Sequence, residues 1–136
     1  MSTASRKLNY ATISNYDVEA GQTVTVGRAV VMTATGTVQD APAQTDLSVG
    51  VAMTGGTGAA SDNVNIALGG CAVAVLLNGA ATAGNKAQFD GTGFLDAAAV
   101  NPAGATSMPT HGVFIQAGLT GDIVGMWMEH GNRITT

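Results

Sequence analysis

From Gly21 onward the chain is cut, about every ten residues, by glycine, proline, asparagine or aspartate, which leaves room for short strands and almost none for helices. Between the cuts, apolar residues recur at every second position. "QTVTV" alternates Val24 and Val26 against threonines, and "RAVVMTA" is a second apolar run. "LSVGVAM" places Leu47, Val49, Val51 and Met53 on one side, "NVNIAL" places Val64, Ile66 and Leu68, and "CAVAVLL" places Cys71, Val73, Val75 and Leu77. Gly69 and Gly70, between the last two runs, predict a tight hairpin. "KAQFD", "GFL", "GVFIQA" and "DIVGMWM" continue the pattern. The one stretch with helical character, "LDAAAVNPAGA", is stopped by Pro102 and Gly104. The expectation is an all-β protein, a small β-barrel or β-sandwich over residues 21–136, with a core of Val, Leu, Ile and Met plus Phe89, Phe94, Phe114 and Trp127. No period of about twenty to fifty residues recurs. The Val-Gly-x-x-Met skeleton shared by "VGVAM" and "VGMWM" reads as common strand chemistry rather than a repeat.

Residues 1–20 lack either period. They read as an extended N-terminal arm, in which Tyr10, Ile13 and Tyr16 are spaced to anchor in pockets on another surface. Arg6 and Lys7 are the only adjacent pair among the five basic residues, the others being Arg28, Lys86 and Arg133. With 10% charged residues and a net charge of −4, the chain has no basic cluster for a nucleic-acid backbone. A surface so poor in charge also predicts partner chains covering part of it. The N-terminus shows no apolar signal segment, and no apolar run approaches the length of a membrane span, so a soluble protein made in the cytoplasm is expected. Cys71 is the only cysteine, which excludes an intrachain disulfide and a cysteine-based zinc cage.

Two glycine loops imitate cofactor sites. Gly79 and Gly84 have the spacing of a phosphate loop, but Asn85 stands at the lysine position, Lys86 comes one residue late and Ala87 replaces the hydroxyl. Gly56-Thr57-Gly58 follows a strand as a dinucleotide fingerprint does, yet Ser61 fills the third glycine position and a strand pattern follows. His111 is expected in a loop or at a strand entrance and His130 in a turn, without metal-ligand spacing or a nucleophile beside them. The seven aspartates sit mostly at turn-type positions, where Asx chemistry accounts for them, and Cys71 reads as a small core filler. No catalytic residue, metal or cofactor is assigned.

What remains is an ordered set of elements: Ala20-Gly21-Gln22, Val49-Gly50-Val51-Ala52, Gly79 to Asn85, Phe89-Asp90 and Gly93-Phe94-Leu95. Over residues 20–100 this resembles the capsid cement, or head decoration, proteins of tailed bacteriophages. The turn departs from that pattern in reading Gly-Asn-Lys where an acidic residue is usual. The resemblance implies a non-enzymatic β-domain on the outer surface of the virion head. Its partners would be the major capsid protein and copies of itself, as a trimer in preference to a dimer. The arm would lie on neighbouring capsid subunits through Arg6, Lys7, Leu8, Tyr10, Ile13 and Tyr16. Two readings compete: a carbohydrate- or host-surface-binding module, which needs exposed aromatics, and a hydrolase using His111 or His130 with Asp122 or Glu129.

Overall fold

The computed structural model describes residues 13–43, 48–99 and 107–134, and in them the chain is all-β. The strands are β1 (Ile13–Asp17), β2 (Thr23–Val24), β3 (Ala29–Met32), β4 (Val38–Asp40), β5 (Gly50–Ala52) and β6 (Gly56–Thr57). They continue with β7 (Asn63–Ala67), β8 (Ala72–Leu76), β9 (Lys86–Phe89), β10 (Phe94–Asp96), β11 (Ser107–Phe114) and β12 (Ile123–Ile134). A single 3-10 turn at Ala97–Ala99 is all that the helical stretch forms among the described residues.

There are two antiparallel five-stranded sheets, ordered β1-β7-β5-β3-β4 and β10-β9-β11-β12-β8, and a two-stranded ribbon, β2-β6, that belongs to the first half. Each large sheet curls until its edges touch at one parallel bridge, Val18 to Val38 in the first and Leu77 to Phe94 in the second. Alternation then sorts the side chains. Val24, Val30, Val38, Ala52, Val64 and Ile66 fill the first closed sheet. Val73, Val75, Leu77, Phe89, Phe94, Phe114, Val124, Met126 and Met128 belong to a second cluster. Burying each of the large side chains is worth about 1.5–3 kcal/mol. That second cluster also takes in Ala29, Val51 and Ala67 from the outer side of the first sheet, so it cements the two halves together.

The halves are two copies of one design. Setting aside the ribbon, the first half runs in spatial order first, fifth, fourth, second, third strand, and the second half, read from β8, gives the same order. Pairing registers coincide as well. Val30 opposes Gly50 and Ala29 opposes Val51, as Ala87 opposes Gly112 and Lys86 opposes Val113. The Val24–Gly56 rung of the ribbon returns as the Ala81–Gly118 bridge.

The turns repeat bond for bond. Thr25 donates its N–H and hydroxyl to the two carboxylate oxygens of Asp40, at 2.8 and 2.8 Å. Thr82 does the same to Asp96, at 3.0 and 3.1 Å. The Gly27 N–H donates to the Ala52 carbonyl at 2.9 Å, and that of Gly84 to the Phe114 carbonyl at 2.8 Å. Both glycines need the left-handed region, at φ 83° and 90°. In the last turn Asp62 accepts from the Thr57 N–H and Asp122 from the Leu119 N–H, each at 2.9 Å. The repeat is about 60 residues long, beyond the span over which the sequence shows no period. "TVGRAVVMTATGTVQDA" and "TAGNKAQFDGTGFLDA" are its legible trace, whereas the two Val-Gly-x-x-Met segments occupy non-equivalent strands.

Several expectations are corrected. Gly69 and Gly70 do not close a hairpin: β7 pairs with β1 and β5, while β8 pairs with β12, so the diglycine carries the chain from one half to the other. Val26 is exposed, and so is Trp127, because Val124, Met126 and Met128 take the inward positions of β12. His111 lies within β11 and His130 within β12, neither in a turn. Pro109 is tolerated inside β11 because β9 pairs with that strand only at Gly112 and Val113. The domain reaches back to Ile13, since β1 pairs along its whole length with β7; the arm boundary expected at residue 20 falls inside the fold.

Candidate interaction surface

Of the residues expected to bind a capsid, Ile13 and Tyr16 are placed on β1, Ile13 exposed and Tyr16 half-buried against the first core. Arg6, Lys7, Leu8 and Tyr10 lie outside the described residues. The two histidines do meet, because a bulge sets Glu129 and His130 against His111 alone. Their ring centroids are 6.2 Å apart. His130 donates from Nε2 to the Leu68 carbonyl at 3.2 Å. His111 is sealed against Phe94, centroids 5.4 Å apart and nearly perpendicular, with Phe89 at 6.5 Å. Its Nδ1 is buried without a hydrogen-bond partner. Burial first, and then repulsion from His130, lower its pKa to about 4. Among the described residues, no three His, Cys, Asp or Glu side chains come together to hold a metal ion. No helix among them is long and apolar enough to cross a membrane.

Lys86, expected as a surface charge, is exposed, and the Gly79–Asn85 stretch turns through Thr82 and Gly84 into β9 without a helix. Asp90 behaves as an Asx turn, accepting from the Thr92 and Gly93 N–H groups at 2.9 and 3.0 Å. Cys71 is half-buried against the second core.

A surface that sequence patterning missed is the outer face of β8, β12 and the end of β11. Its cross-strand rungs are Ala72–Trp127, Ala74–Gly125 and Leu76–Ile123. The Ile115 side chain lies over Gly125, where an added Cβ would come within 2.8 Å of it. Ile115, Leu119 and Ile123 are 54%, 69% and 62% exposed. The repeat supplies the comparison. The equivalent rungs of the first half are Ile13–Ala67, Asn15–Asn65 and Asp17–Asn63. There Asn15 donates to the Asn65 and Asn63 side chains at 3.0 and 3.3 Å. One scaffold thus carries an amide and carboxylate ladder in one half and aliphatic groups in the other.

The chain matches no known protein family and no curated protein. What its surface offers is therefore read from its own chemistry: an apolar, nearly uncharged sheet face on a closed scaffold, with Lys86 and Glu129 at its margin. Such a face suits a broad protein contact.

Proposed function

We propose that the chain is a non-enzymatic decoration protein of a tailed-phage head, made in the host cytoplasm and held on the outer surface of the virion by the major capsid protein. The observation that carries the reading is the aliphatic face around Ile115, Leu119 and Ile123. At the matching position of the first half the same scaffold carries Asn63 where Ile123 stands. Apolar groups retained in water, where the fold does not require them, favour a partner. The resemblance of residues 20–100 to head decoration proteins supplies the class of partner.

In this mechanism each copy bridges adjacent capsid subunits. Residues 1–12, with Arg6, Lys7, Leu8 and Tyr10, form the arm, and the aliphatic face adds a second contact. Modest contacts made together hold the shell against internal pressure through avidity rather than through one strong bond. The test is decoration of undecorated heads, followed by electron microscopy of the particles. Deleting residues 1–12, or replacing Ile123 by Asn as in the first half, is expected to leave a folded protein and reduce occupancy at least tenfold, about 1.4 kcal/mol of binding. Full occupancy by both variants refutes the mechanism.

The exposed indole of Trp127 favours a second reading, a carbohydrate-binding module, since an open aromatic face can stack on a sugar ring. Glycan-array binding that is lost on Trp127→Ala would select it.

A further inference from the structure

The packing of one half on the other uses a surface that the second half possesses too and leaves open. In the first half, Ala29, Val51 and Ala67 are fully buried, within the same cluster as Val73, Val75 and Leu77 of the second half. The turn before them is plugged in as well. The Gly27 carbonyl accepts from the Leu76 N–H at 3.0 Å. A Cβ on Gly27 would stand 2.8 Å from that nitrogen. The repeat places Gly84, Lys86, Val113 and Trp127 at the corresponding positions of the second half. There a Cβ on Gly84 would meet nothing within 4 Å. Lys86 is exposed, Val113 only half-buried, and Trp127 is 45% exposed.

The receiving side is duplicated in the same way. Leu76, which the first half meets through Gly27, corresponds to Asp17 at the end of β1, and Asn78 to Glu19 just after it. Asp17, Glu19 and Asp62 line a recess of about 340 Å³ on the first half. The filled interface inside the chain sets Gly27 against Leu76, a neutral contact. On the open patch Lys86 stands between Asp96 and Glu129, each of which shares a recess with it, and the other open end carries the three carboxylates.

We infer that the open surface of the second half, Gly84, Lys86, Val113 and Trp127, binds the Asp17–Glu19 side of a second copy, repeating between chains the packing that joins the halves within one. Such a contact is heterologous, different patches meeting head to tail, so successive copies add in one direction until a ring closes. Lys86 favours the correct partner, because there it meets an acidic recess. The inference concerns the isolated protein and stands or falls without any head.

The test is sedimentation velocity of the full chain up to about 1 mM, a concentration at which even an association free energy near 4 kcal/mol populates complexes. Wild type is expected to form species larger than dimers. Lys86→Glu, Asp17→Lys and Trp127→Asp alter exposed side chains; each is expected to remain monomeric with unchanged circular dichroism. The charge-exchanged double variant, Lys86→Glu with Asp17→Lys, is expected to assemble again. An equimolar mixture of Trp127→Asp and Asp17→Lys chains retains one intact interface and is expected to stop at dimers. A monomeric wild type at that concentration overturns the inference. So does assembly that survives Trp127→Asp, or failure of the folded double variant to assemble. Loss of head binding by Trp127→Asp beside a monomeric wild type would assign the indole to the capsid instead.

Discussion

His111 shows what a single buried base costs. A neutral imidazole wedged against Phe94, with Nδ1 unpartnered, is stable only while it stays uncharged. Its pKa falls from 6.5 to about 4 on folding, so between those values the unfolded chain binds a proton that the folded chain refuses. Stability is therefore complete above pH 6.5 and declines as the pH falls toward 4, by about 3 kcal/mol for a shift of this size. Urea unfolding of wild type and His111→Phe across that window should show the difference: the phenylalanine keeps the ring contacts and removes this part of the acid slope. Sequence reading placed His111 in a loop or at a strand entrance because it follows Met-Pro-Thr and precedes a glycine. The bulge and the one-sided pairing that admit Pro109 are set by β9 and β12, far away along the chain.

At the level of strands and turns, the aspartate that locks each glycine turn is the unit the chain reuses. Asp40 takes two hydrogen bonds from Thr25 in a partly buried site and lies 3.7 Å from Arg28, while Asp96 takes two from Thr82 and one from Asn85 in the open. Hydrogen bonds to a charged group are worth more where water competes less. Asp40→Ala is expected to destabilise by about 2–3 kcal/mol and Asp96→Ala by about 1, measured by denaturant unfolding. Equal losses would show that burial does not set the strength of the lock. These turns were legible in the sequence as Asx and glycine positions, and so was the alternation of Val64 and Ile66. Partner choice was not. Gly69-Gly70 has the composition of a hairpin, and only the pairing of β8 with distant β12 makes it a crossing. Trp127 was misassigned because β12 is apolar at both parities, Ile123 and Trp127 against Val124, Met126 and Met128, so alternation alone cannot say which set faces in.

For the molecule as a whole, the strip of Ala29, Val51 and Ala67 makes the halves mutually dependent. Each half is small for independent stability, so one cooperative transition is expected, with Trp127 fluorescence and far-ultraviolet circular dichroism coinciding. Val51→Asp puts a charge into that strip and should separate the two curves, the first half melting earlier. Coincident curves in the variant would mean that the strip does not couple the halves. The diglycine crossing adds an asymmetry of another kind. Because Gly69-Gly70 links the two barrels directly, their docking is paid for once, during folding, and loses little translational freedom. The same surfaces meeting between separate chains must give up that freedom at every encounter. The short tether therefore acts as a built-in concentration, and a contact permanent within the molecule is reversible between molecules unless a third surface gathers the copies.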